Sequence, residues 1–241
     1  MSQLYETFPR DDLTDEMIAD AARLFTENYG VWGGDSRLRG KRVTLTAKRL
    51  REEYLPEDGE CRYTRVTSDG KLVGNAFTSR WNWNGKRVCW VTQLVVHRDH
   101  RGKGIASILL KMSMVESDDV YGIMSSHPYA CMAAATMFGT SIENVSLDFI
   151  REHSDVILKA SPIQYVKEAA VSGTLFDAND STGLISGVNT KFLVDHEEPL
   201  DALRQVRSSR RWPLGGLAEG YEYLLVVPAK LRRSKASLAS K

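Results

Sequence analysis

The chain has 241 residues, 42% of them hydrophobic and 26% charged, with a formal net charge of +1. That length suits one domain with a sizeable core, and the near-zero total charge gives no sign of a nucleic-acid, membrane or acidic partner. The cysteines Cys61, Cys89 and Cys131 are odd in number, widely spaced and free of any Cys-x-x-Cys, so neither a disulfide framework nor a metal site is expected.

No run of about 18 apolar residues marks a membrane span. Residues 1–10 lack the basic start and apolar stretch of a secretory leader, so a reducing compartment, cytoplasm or nucleus, is expected. Residues 4–8 read as a short strand. Thr14 then reads as a helix N-cap, with Asp15 and Glu16 in the first turn, where they complement the helix dipole. Met17, Ala21, Leu24 and Phe25 continue that helix at helical spacing, and Gly30, Gly33 and Gly34 end it. A second helix spans 46–55, with Leu50 and Tyr54 facing inward and Pro56 closing it.

Three strands follow, over 62–67, 71–81 and 86–96. Asp69-Gly70 and Asn84-Gly85 are hairpin turns between them, giving an antiparallel meander. After Val96 the pattern changes to a helix over 102–116, on which Ile105, Ile108, Leu109, Met112 and Val115 repeat at three and four residues. Residues 120–124 form a short apolar strand, and strand–helix–strand with these lengths implies a parallel pair. Helices are expected over 128–138, 145–158 and 199–207, a loop over 172–188, and strands over 190–194 and 221–228. No linker divides the chain, so one domain is expected over 1–241, with a basic, frayed tail at 230–241.

The segment from Gln93 to Ala106 carries the chemistry. Gly102 and Gly104 stand between a buried strand and a helix, where the first-turn amides lack partners and sit at the positive end of the dipole. A phosphate docks readily at such a turn. Arg98, Arg101 and Lys103 add positive charge. The spacing is not that of a P-loop, and Ser107 occupies the position where a dinucleotide fingerprint has its third glycine.

Arg101-Gly-Lys-Gly104-Ile-Ala106 resembles the Gln/Arg-x-x-Gly-x-Gly/Ala motif of the GNAT superfamily of acyl-CoA-dependent N-acyltransferases, and the resemblance extends to GNAT-like proteins of filamentous fungi. It implies an α/β (α+β) fold: a mixed, mostly antiparallel central sheet, splayed between its fourth and fifth strands and flanked by helices. It further implies that acetyl-CoA is held by the backbone of Leu94, Val95 and Val96 and by Arg101, Gly102, Lys103, Gly104, Ile105, Ala106 and Ser107. The stretch 140–186 is longer than the usual connection in this family and is expected to form a lid or wall.

The implied reaction moves an acetyl group from acetyl-CoA directly to a primary amine of a small molecule, in a ternary complex. Many members use a tyrosine as acid four residues before a Gly-Phe pair; that position is Ala135 here, and Thr140 replaces the Phe. His127 and Tyr129 are the substitutes near the expected reaction centre. Gln93, Trp32, Trp81 and His196 are expected around the acceptor. Two other readings stay open: an acyl-CoA sensor or interaction module without catalysis, and a protein or peptide lysine acetyltransferase. Oligomeric state is not legible.

Overall fold

The computed structural model describes residues 2–34 and 36–229; the predicted basic tail 230–241 lies outside the described residues. Strand β1 (Gln3–Pro9) pairs antiparallel with β2 (Glu60–Ser68). Between them run α1 (Asp15–Asn28) and α2 (Ala47–Tyr54). Each helix starts at a threonine: the Thr14 hydroxyl accepts from the Met17 amide and the Thr46 hydroxyl from the Arg49 amide, both at 3.2 Å, so one first-turn donor of each is satisfied. Their apolar sides, including Ile18, Phe25 and Leu50, pack on Tyr63 and Phe77 on one face of the sheet.

The meander continues through β3 (Lys71–Trp83) and β4 (Lys86–Val96). Asp69, Gly70, Asn84 and Gly85 all have positive φ, the backbone shape that a two-residue hairpin turn needs. Helix α3 (Ile105–Ser113) then carries the chain to β5 (Val120–Ser125), parallel to β4. This helix is shorter than the predicted 102–116. Gly102 and Gly104 have φ of 72° and 77°, outside the helical region, and Met114 is already extended. Of its apolar repeat, Ile105 and Leu109 are buried while Ile108 and Met112 are exposed.

The remainder comprises α4 (Pro128–Met137), α5 (Leu147–Lys159), the single turn α6 (Gln164–Lys167), β6 (Ala170–Ser172), β7 (Gly187–Phe192), α7 (Glu197–Ser209) and β8 (Gly220–Pro228). Sequence patterning misses α6 and β6, and it places the start of β7 at Thr190. Gly187 and Val188 are buried and paired with Tyr223 and Glu222, so pairing in the sheet overrides the loop-like composition of that stretch.

Among the described residues, all eight strands form one sheet in the order β1-β2-β3-β4-β5-β8-β7-β6, and only β4 and β5 are parallel neighbours. Their pairing runs from Val88 with Val120 to Val91 with Ile123 and stops there. Residues 92–96 then leave β5, and the sheet splays. Two local features sit at that point. The β3–β4 register shifts so that Phe77 meets Gln93 and Thr78 meets Val91, leaving Thr92 in a bulge, a device that bends a strand. Gly122 lies under the Trp90 indole: a Cβ there would stand 2.1 Å from the ring. The mixed, split, helix-flanked sheet is the architecture that the motif implied.

The two arms of the split are tied again beyond the opening. The Gly33 amide donates to the Leu193 carbonyl at 2.8 Å and the Asp195 amide to the Val31 carbonyl at 2.9 Å. The chain after β7 thereby crosses to the chain after α1.

Candidate active site

Helix α3 begins at Gly104, where no side chain caps the first turn. A Cβ built at Gly102 or Gly104 meets no atom of the protein within 4 Å, so the left-handed backbone, and not crowding inside the chain, calls for glycine at both. The turn thus presents uncapped amides towards open space, the arrangement that receives an anion. The cations beside it are engaged within the chain. Arg101 Nε donates to the Val96 carbonyl at 3.1 Å and Nη2 to the Asn28 carbonyl at 2.5 Å, while Nη1 donates to Glu198 Oε1. Lys103 Nζ donates to the Asp99 carbonyl at 2.8 Å. Arg101 therefore locks the end of β4 to the end of α1, and the backbone amides are what the turn offers a ligand.

Glu198, in the first turn of α7, reaches His127 as well as Arg101; its Oε1 lies 3.8 Å from His127 Nε2. His127 first and then Arg101 hold the Glu198 carboxyl down at about 2, against the opposing effect of partial burial.

A cavity of about 470 Å³ opens on the sheet face covered by α1, α2 and α6. Its floor is the stretch of β4 from Trp90 to Leu94 together with Met124, Ser125 and Glu222. Its walls include Phe25 and Tyr29 from α1, Trp32 just beyond, Tyr54 from α2, Tyr165 from α6 and Phe192 from β7. The rings brace one another: Phe25 on Tyr29 at 4.3 Å, Trp32 on Phe192 at 5.3 Å, Tyr54 on Tyr165 at 5.6 Å. Burial first, then nearby carboxylate charge, pushes the Tyr29 hydroxyl up, and burial likewise raises Tyr54 and Tyr165. All three remain protonated donors at neutral pH.

Several polar groups line the floor. Gln93 Oε1 accepts from Asn75 Nδ2 at 3.0 Å, and its Nε2 is buried without a hydrogen-bond partner. Trp90 Nε1 and Thr92 Oγ1 are buried without a hydrogen-bond partner. Glu222 is partly exposed, and it faces this cavity. Burial pushes its carboxyl up to about 7, offset in part by the Thr190 hydroxyl, and among the described residues no cation acts on it.

The sequence-predicted residues divide accordingly. Gln93, Leu94 and Trp32 line the cavity, while Val95 is buried beside α1 and Val96 anchors Arg101. Trp81 does not belong to it; it lines a separate groove with Arg80, Arg87 and Lys167. His196 stands at the N-cap position of α7 without a side-chain cap bond and is buried, which lowers its pKa, and it is not among the cavity walls. His127 and Tyr129 also lie outside those walls. His127 Nδ1 accepts from the Tyr129 amide at 3.3 Å, so the imidazole turns back onto α4 as its N-cap. The Tyr129 hydroxyl donates to Gln205 Oε1 at 2.9 Å on the surface. Both side chains are drawn to local partners and to α7, away from the cavity.

Sequence reasoning missed Glu222, Tyr165 and Thr190. A signal existed for the first. In Tyr221-Glu-Tyr-Leu-Leu-Val-Val-Pro228, strand alternation puts Glu222 on the same face as Leu224 and Val226, and both of those are buried. No group of three metal-capable side chains occurs among the described residues.

A family model described as the Acetyltransferase (GNAT) family matches residues 20–123, the part that contains β4, the glycine turn and α3. No curated protein matches the chain. Among solved structures it is similar to the GCN5-related glucosamine N-acetyltransferase region of a fungal multi-domain GH3 beta-N-acetylglucosaminidase, with 16% identity over 53% of this chain and 14% of that one, TM-score 0.40. It is similar to a tandem GNAT protein of the clavulanic acid biosynthesis pathway, with 16% identity over 53% of this chain and 38% of that one, TM-score 0.38. An aminoglycoside acetyltransferase from an uncultured soil metagenomic sample shows 14% identity over 60% of this chain and 92% of that one, TM-score 0.43. The chain spans only 14% and 38% of the first two. With its sheet split at β4 and β5 and its flanking helices, this chain has a mixed α/β, GNAT-like fold.

Proposed function

We propose that this protein is an acetyl-CoA-dependent N-acetyltransferase acting on a primary amine of a small molecule. The observation that carries the reading is a shared strand. The floor of the 470 Å³ cavity and the anion-receiving turn at Gly102 and Gly104 are successive parts of one β4–α3 segment. An anchor for phosphates and a space for an acceptor are thus held at fixed separation.

The residues fit the co-substrate. Open space at the glycine turn leaves room for a pyrophosphate on the amides of residues 102–107. Among the described residues, 92–96 pair with no residue of β5; the Val96 carbonyl accepts from Arg101, and the remaining edge along Leu94, Val95 and Val96 can take an extended pantetheine arm, as an added strand would. When bound, acetyl-CoA supplies an acyl group already activated as a thioester. The chain positions that group, and a β4 backbone N–H polarises its carbonyl. The cavity is a concave pocket of small-molecule size, which favours a small acceptor over a protein lysine.

The test is thiol release from acetyl-CoA across a panel of primary amines, beside calorimetry with CoA. Turnover with saturable CoA binding supports the transferase. Binding without turnover on a broad panel supports a non-catalytic acyl-CoA module instead, and absence of CoA binding removes both.

A further inference from the structure

We propose that Glu222 is the base that takes the proton from the acceptor amine, and that the acceptor's apolar body rests against the aromatic walls above it. This rests on the transferase reading and goes beyond it by assigning the catalytic group and the place of the amine.

The position follows from strand geometry. Met124 of β5 pairs with Leu224 of β8, and Glu222 lies two residues further along the same face, where β5 ends and the cavity begins. Across β7, Glu222 pairs with Val188, and Thr190, two residues on, lines the cavity with it. Other elements surround the group. Tyr29 of α1, Glu52, Glu53 and Tyr54 of α2 and Tyr165 of α6 line the same cavity. Glu168 of α6 also lines the cavity. Arg49 is the cation among the lining residues, and it is held 2.7 Å from Glu53.

A carboxylate that shares a tyrosine-walled cavity and has no counter-ion beside it is costly to keep. Two events relieve the cost, protonation or the arrival of a cation, and an ammonium substrate supplies both in turn. The rings add cation–π attraction while the amine is charged. Trp90, Thr92 and Gln93 of the same floor each carry a buried polar atom without a protein partner, Nε1, Oγ1 and Nε2. A carboxyl tuned to about 7 suits proton transfer at neutral pH.

The step balances. The ammonium gives one proton to the Glu222 carboxylate. The freed nitrogen pair forms the N–C bond, the C–S bond breaks, and its electrons leave with sulfur. The sulfur takes the second nitrogen proton, and Glu222 passes its own to solvent. Ammonium and thioester become amide, thiol and one proton.

The experiment compares wild type with Glu222→Gln, using 2-phenylethylamine as an amine with an aromatic body and aniline as one already neutral at pH 7. For the alkylamine, kcat is expected to fall at least ~100-fold, and the limb of the wild-type profile that rises with pH through neutrality should vanish. Aniline should lose much less. CoA affinity should stay as in wild type, showing an intact fold. Calorimetry without CoA should show 2-phenylethylamine binding at least ~10-fold weaker to the variant, equivalent to about 1.4 kcal/mol. Glu222→Asp, which keeps a carboxyl, should retain a pH-dependent limb. Equal rates, profile and amine affinity in wild type and Glu222→Gln overturn the assignment while leaving the transferase intact. Wild-type protein that binds CoA but acetylates neither these probes nor n-hexylamine or putrescine overturns the transferase reading and this assignment with it.

Discussion

The Tyr165 hydroxyl donates to the main-chain carbonyl of Thr92 at 2.8 Å. Seventy-three positions separate the two residues. The bond joins α6, from the long segment between α4 and β7, to the bulge at which β4 departs from β5. The same tyrosine ring meets Tyr54 of α2. One side chain therefore closes the cavity wall and satisfies a carbonyl that the bulge withdraws from the sheet ladder.

Tyr165→Phe should keep the ring contact and lose that bond. The expected cost is about 1 kcal/mol of stability, together with a several-fold higher KM for the amine and unchanged affinity for CoA. Thermal unfolding and steady-state kinetics check it. A variant with the wild-type amine KM would show that the wall does not depend on the hydroxyl.

Gly104→Val should separate fold from ligand binding. The site has space for a side chain, so the cost to the free protein is the strain of a φ of 77°, about 1–2 kcal/mol. A domain with a stability of roughly 5–15 kcal/mol survives that. CoA binding should nevertheless be lost, since a branched side chain intrudes where a phosphate meets the amides. Calorimetry with CoA decides; normal affinity would move the pyrophosphate elsewhere.

Gly122→Ala acts through packing. Its methyl group would stand 2.1 and 2.2 Å from two carbons of the Trp90 ring, and Trp90 is fully buried, so the ring has nowhere to move cheaply. A loss of about 3 kcal/mol is expected, or roughly 6–12 °C in Tm for a chain of this size. A shift under 2 °C by calorimetric scanning would contradict the fit described for the apex of the split.

Glu198 governs an acid-side effect. Its folded pKa of about 2 lies below the ordinary 4.5. The stabilisation is therefore fully present above about 4.5 and is lost as pH falls towards 2. The side chain is 61% exposed, so solvent screening limits the contribution to under about 1 kcal/mol. Glu198→Gln should show a shallower fall of Tm across that window than wild type. It should also bind CoA several-fold more tightly, because a negative charge beside the glycine turn is gone. Parallel acid limbs in the two proteins would remove the role assigned to the Arg101–Glu198–His127 cluster.

Local chemistry made much of this molecule legible in sequence. Asp69-Gly70 and Asn84-Gly85 specify hairpins because their backbone shape is set within four residues. Thr14 and Thr46 start helices because a hydroxyl reaches an amide three residues away. The glycine turn before α3 could be read as an anion site for the same reason: the amides and the left-handed glycines belong to one short stretch. Strand, helix and strand of these lengths then imply the parallel β4–β5 pair.

The acceptor cavity depends on residues far apart in the chain. Its parts come from α1, α2, β4, α6, β7 and β8, and no local pattern brings Gln93 to the same space as Glu222. Trp32 and Trp81 looked equivalent as aromatic candidates. Trp32 lies at the cavity because the chain after α1 is bridged to Val194, whereas Trp81 is carried by β3 to the other groove. His127 and Tyr129 were legible as chemistry but not as geometry, since capping and α7 claim them. Sequence alone determined most of the elements, though not α6 and β6, and the glycine turn, whose interactions are local. Only the tertiary structure decided which carboxylate faces the open end of the split sheet, because a group's burial, and with it its proton affinity, belongs to everything packed around it.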